Sequence, residues 1–109
     1  MDFNTYQLRA RETAIYPNIG KNFEYPTIGL FSECGEAANK IKKIIRDDKG
    51  VITEQKRIEI KDELGDVLWY LANLCAEFSI YFDDVAQENL EKLHRRRMGG
   101  KISGSGDNR

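Results

Sequence analysis

The sequence predicts an all-α chain, with four helices in an antiparallel bundle-like subunit. Three observations predict it. Apolar residues recur at intervals of three and four through most of the chain. No stretch of useful length alternates apolar and polar residues as a half-buried strand would. The connections between periodic segments are short, which favours antiparallel neighbours.

The first helix is expected over residues 2–15, "DFNTYQLRARETAI", where Phe3, Tyr6, Ala10 and Thr13/Ala14 share a face. Residues 16–26 contain Pro17, Gly20 and Pro26 and read as a loop. The second helix should begin at Pro26 or Thr27, since proline is tolerated in a first turn, and end at Asp48 before Gly50. Thr53 can cap the third helix, with Glu54 in its first turn and an end near Ser79. Asp83 can cap the fourth, which stops before Gly99-Gly100. Residues 1–98 thus form one helical domain. Residues 99–109 form a Gly- and Ser-rich tail, in which Asp107 to Arg109 are expected to dock near a substrate cleft.

The chain has 109 residues, 40% of them apolar and 32% charged, which suits one soluble domain. A net charge of −1 argues against nucleic-acid binding driven by bulk charge. No apolar run is long enough for a membrane span and no signal peptide opens the chain, so a cytoplasmic protein is expected. Cys34 and Cys75 lie in apolar helical patterns and read as reduced core thiols.

Two segments repeat one acidic frame: "SECGEAANKIKK" and "DELGDVLWYLAN". At about 100° per residue, Ile60, Leu64, Val67, Leu68, Leu71, Leu74, Cys75 and Phe78 form one apolar face of the third helix. Glu63, Asp66, Tyr70, Asn73 and Glu77 form a narrow stripe beside it, and Trp69, Ala72, Ala76 and Ile80 fall in a further apolar sector. A helix apolar on two sides is buried on both, and in so short a chain the second side is expected to meet another subunit.

The second helix repeats the pattern. Leu30, Phe31, Cys34, Ala37, Ala38, Ile41, Ile44 and Ile45 are its expected core face. Gly29, Glu33, Glu36, Lys40 and Lys43 form its stripe. The two stripes share one angular offset, so antiparallel packing brings Glu33, Glu36, Glu63 and Asp66 to one cleft. Gly35 and Gly65, inside the frames, read as points of close helix packing. Four converging carboxylates repel unless a cation joins them, and an all-oxygen ligand set selects Mg²⁺, with Mn²⁺ able to substitute. The third and fourth helices add Tyr70 and Asn73 on the acidic stripe and Asn89, Lys92 and Arg96 on a basic one. With Lys40, these suit a polyphosphate. Tyr25 and Phe23 could stack on a base. His94 is given no role, and without Glu-x-x-His motifs a di-iron bundle lacks its ligands.

E-x-x-E at 33–36 followed by E-x-x-D at 63–66, in "GLFSECGEAANKIKK" and "KDELGDVLWYLANL" with "NLEKLHRRR" beyond, resembles the MazG-like nucleotide pyrophosphohydrolases of the all-α NTP pyrophosphatase superfamily. The resemblance covers residues 27–98. It implies a homodimer or a dimer of dimers, and the second apolar side of the third helix favours the homo-oligomer being a tetramer over a dimer. It also implies Mg²⁺-dependent hydrolysis of a (deoxy)nucleoside triphosphate to the monophosphate and pyrophosphate, in nucleotide-pool house-cleaning. By the same resemblance Glu33, Glu36, Glu63 and Asp66 are metal ligands, and Lys92 and Arg96 bind phosphate; by position, Glu33 or Glu36 is the catalytic acid left to take a proton from water. A basic residue that some relatives carry one turn before the third acid is replaced here by Glu59. The alternative is a non-catalytic, metal-binding oligomerisation module.

Overall fold

The computed structural model describes residues 1–100. The expectation for Asp107 to Arg109 lies outside them. Four helices follow in order: α1 (Phe3–Glu12), α2 (Glu24–Asp47), α3 (Glu54–Glu77) and α4 (Phe82–Met98). α2 and α3 pair along their length as an antiparallel hairpin. α1 lies across α3, and α4 packs on α1 and α3 without a close backbone approach to α2.

Local chemistry explains most of the boundaries. Asp2 caps α1 by accepting from the Thr5 amide at 2.7 Å, and Thr53 caps α3 by accepting from the Lys56 amide at 3.1 Å. Two starts differ from the sequence reading. α2 begins at Glu24, with Tyr25 and Pro26 inside its first turn, because Asn22 Oδ1 accepts from the Tyr25 amide at 3.0 Å and caps the helix from outside. α4 begins one residue before Asp83, so Asp83 is a first-turn residue and not the cap. α1 satisfies the α4 start instead: Gln7 Oε1 accepts from the Phe82 amide, while Asn4 and Asp83 exchange two hydrogen bonds.

The core differs from the periodicity reading as well. Ala10, Ala72, Cys75 and Phe82 form its centre, flanked by Tyr6, Leu68, Trp69 and Leu71. The sector holding Trp69 and Ala72, expected to meet another subunit, is used inside this one because α1 covers it. Trp69 Nε1 donates to Thr13 Oγ1 at 2.8 Å across that contact. Much of the expected core face of α2 is open: Phe31 is 76% exposed and Ile45 71%. Cys34 is exposed and Cys75 buried, so one of the two expected core thiols lies on the surface. Gly35 and Gly65 face open space, so neither is a point of close packing within the subunit.

Candidate metal centre

The α2–α3 hairpin sets the site by its register. Gly29 lies opposite Tyr70, Glu33 opposite Glu63 and Asp66, and Lys40 opposite Glu59. Glu33, Glu63 and Asp66 each bring one carboxylate oxygen within 4.8 Å of the others. Glu33 carries the electrostatic mark of this crowding. Partial burial, then Asp66, Glu63 and Glu36, push its carboxyl above the ordinary range. Three oxygens so close offer a hard divalent cation its preferred donors, and the ion would relieve the repulsion that the cluster stores. The residues therefore fit Mg²⁺ or Mn²⁺. Glu36 is exposed and lies outside the three-oxygen group, close enough to act on Glu33.

The remaining expected residues are dispersed. Tyr70 stands over Gly29, where any Cβ would overlap its ring, and Trp69 meets it edge-on at 5.0 Å. Burial raises the Tyr70 hydroxyl, and Tyr25, Glu33 and Asp66 raise it further. Lys40 is engaged by Glu59 at 3.2 Å, with Lys56 3.6 Å from the same side chain. Asn73 turns inward: it is 1% exposed, accepts from Arg11 Nη1 at 3.1 Å and donates to the Trp69 carbonyl. Asn89 is exposed, Lys92 half-buried and Arg96 only 6% exposed, all on the helix that does not approach α2.

Two features had no signal in the periodicity. Tyr6 of α1, which reads as core, packs against the hydrophobic core, and burial and then Asp66 raise its hydroxyl. Glu77, which closes the α3 stripe, belongs to a different constellation. Its side chain is fully buried, and it accepts from Arg11 Nη2 at 2.5 Å, Tyr16 Oη at 2.7 Å, the Gly20 amide at 2.8 Å and the Asn22 amide at 2.6 Å. Gly20 offers its amide from φ +91°, a conformation that disfavours any side chain. Burial would raise the Glu77 carboxyl. The Asn22 amide, the Tyr16 hydroxyl and Arg11 outweigh it and hold the group down at about 2. Burial, reinforced by the Glu77 carboxylate, pushes the Tyr16 hydroxyl up to about 12.

Comparison with known proteins agrees with this architecture. Residues 23–99 match the MazG nucleotide pyrophosphohydrolase domain. The chain is 47% identical over 114 aligned positions to the Gene 37 protein of Mycobacterium phage L5, and the alignment covers the whole of both chains. No solved structure matches significantly. A matched domain spanning both acidic frames, on a helical hairpin that gathers three of their four carboxylates, makes this chain a member of the MazG nucleotide pyrophosphohydrolase family.

Proposed function

We propose that the chain hydrolyses a (deoxy)nucleoside triphosphate to the nucleoside monophosphate and pyrophosphate, with Mg²⁺, in cytoplasmic nucleotide-pool house-cleaning. The observation that supports this most is the convergence of Glu33, Glu63 and Asp66 on a MazG-family hairpin. A cation held by these oxygens would supply Lewis-acid stabilisation of the phosphate oxygens and a more acidic water. The chain supplies the rest. Glu36, exposed beside the cluster, is the group free to take a proton from the attacking water. Glu33, one turn before it on α2, is the other acid placed to take that proton. Tyr70, whose ring stands over Gly29 one turn from Glu33, can donate to phosphate oxygens. Lys92 and Arg96 are assigned to the β- and γ-phosphates, so that pyrophosphate leaves as one unit.

Hydrolysis in oxygen-18 water tests the reading. Label in the nucleoside monophosphate is the expected result. Label in orthophosphate, with a nucleoside diphosphate as co-product, would make the chain a γ-phosphatase. No turnover of any NTP or dNTP with Mg²⁺ or Mn²⁺ would favour the non-catalytic oligomerisation module.

We also propose a homo-oligomer, tetramer over dimer, formed through α2 instead of the covered α3 sector. Ile28, Phe31, Ile41 and Ile45 leave a long apolar stripe in water, unusual for a monomer. Light scattering that shows a monomer at micromolar concentration would sink it.

A further inference from the structure

The Glu77 constellation has no part in the chemistry above, yet it is the most heavily bonded carboxylate among the described residues. Two routes lead from it to one exposed ring. Along the first, Glu77 Oε1 accepts from the Asn22 amide at 2.6 Å, and Asn22 Oδ1 accepts from the Tyr25 amide at 3.0 Å. The Asn22 side chain also donates to the Pro17 carbonyl at 2.7 Å, which closes the loop on itself. Along the second, Glu77 Oε2 accepts from the Tyr16 hydroxyl, and the Tyr16 ring stacks on Tyr25 with centroids 4.9 Å apart and planes 13° from parallel. Tyr16 is buried, while Tyr25 keeps 43% of its surface in water. Tyr25, Gly29 and Glu33 then follow at intervals of four along one face of α2. The Tyr70 ring fills the space over Gly29. Tyr25, Tyr70 and Glu33 therefore form one continuous line, with the acidic cluster at its end.

We propose that Glu77 is a positioning residue: its carboxylate clasps the 16–22 loop to α3 and so fixes Tyr25 as a flat wall, against which the planar base of the nucleotide rests while its phosphates reach Glu33, Glu63 and Asp66. This rests on the nucleotide reading given above. A stacking wall needs a rigid ring with one open face, and Tyr25 is held from below by Tyr16, from its amide by Asn22, and open outward. The clasp also explains why an acid far along the α3 stripe is withdrawn from the metal cluster. It is spent on a loop that has no other tie to α3 as dense.

The test uses the full chain, a panel of dNTPs, and inorganic tripolyphosphate as a base-free competitor. Glu77→Gln keeps the shape but cannot accept at both ends. KM for the preferred dNTP should rise about tenfold, the scale of one lost stacking contact, with kcat changed by less than about twofold. The inhibition constant of tripolyphosphate should stay as in the wild type. In a Tyr25→Ala background, Glu77→Gln should add nothing further to KM, because both changes remove the same wall. Additive effects, an unchanged KM, or an equal loss of tripolyphosphate binding would overturn the proposal. Should Glu77→Gln not fold, Tyr16→Phe removes one tie and keeps the ring, and the same pattern is required of it at smaller amplitude. A wild-type chain that hydrolyses no NTP or dNTP would defeat the nucleotide reading instead. The positioning role would still be read from the Tyr16–Tyr25 ring contact by NMR: its loss in Glu77→Gln supports the clasp, and its persistence overturns it.

Discussion

Glu77 and Glu33 are acids of the same α2–α3 hairpin, and their surroundings pull them in opposite directions. Glu77 accepts from two backbone amides, a phenol and a guanidinium, and sits at about 2. Glu33 meets Glu63 and Asp66 across a few ångströms and sits above the ordinary carboxylate range. Burial raises both groups; the difference comes from what burial places beside each one. A carboxylate surrounded by donors is a structural tie, whereas one crowded by carboxylates is held against a repulsion that a bound cation would relieve. The hairpin carries both, a few turns apart: Glu77 shares the α3 stripe with Glu63 and Asp66, and Glu33 meets those two from α2.

The largest expected effect strikes the first region. Glu77→Leu removes a buried acceptor from four donors, three of them in part-buried contacts and the Gly20 amide in an exposed one, and should cost about 3–5 kcal/mol of stability, read as a fall in the denaturant midpoint. A loss below about 1 kcal/mol would show that solvent satisfies those donors. Next in size, the second region should respond in activity and not in fold. Asp66→Asn, Glu63→Gln or Glu36→Gln should lower turnover by at least about a hundredfold with the helical circular dichroism kept. With EDTA present, Asp66→Asn should melt at or above the wild-type temperature, because it removes a repelling charge. Near-normal turnover at saturating substrate would remove that residue from the site.

Acid sharpens the same contrast. The folded-state pKa of Glu77 lies below its ordinary 4.5, at about 2. Its contribution is therefore complete above pH 4.5 and is lost as pH falls toward 2. The stability gap between wild type and Glu77→Gln should shrink steadily across that window. A gap that holds constant would mean that the acid form keeps its partners. The smallest effect belongs to a third kind of carboxylate. Glu59 pairs with Lys40 at 3.2 Å where both remain partly wet. Lys40→Ala should lower the melting temperature only slightly at low salt, and less at high salt.

How much of this could be read from the sequence varies from residue to residue. The Thr53 cap, the doubled acid frame and the antiparallel hairpin are local or periodic features, and all three are present. Asn73 and Glu77 share the periodic stripe with Glu63 and Asp66, and nothing in the period separates them. Their fates were decided by Arg11, Tyr16, Gly20 and Asn22, which are more than fifty positions away along the chain. Phe31 and Ala72 show the same limit in the core. Each lies on an apolar face, yet α1 covers Ala72 and nothing in the subunit covers Phe31.

The sequence by itself determined the four helices, most of their ends and the two acidic frames, because backbone propensity, capping and angular position act within a turn or two. Only the tertiary structure decided which apolar face is buried, which acids meet one another and which meet donors. Those outcomes depend on the segments that arrive from elsewhere in the chain. A helical period reports the direction in which a side chain points, and the electrostatics of a carboxylate depend on what stands opposite it.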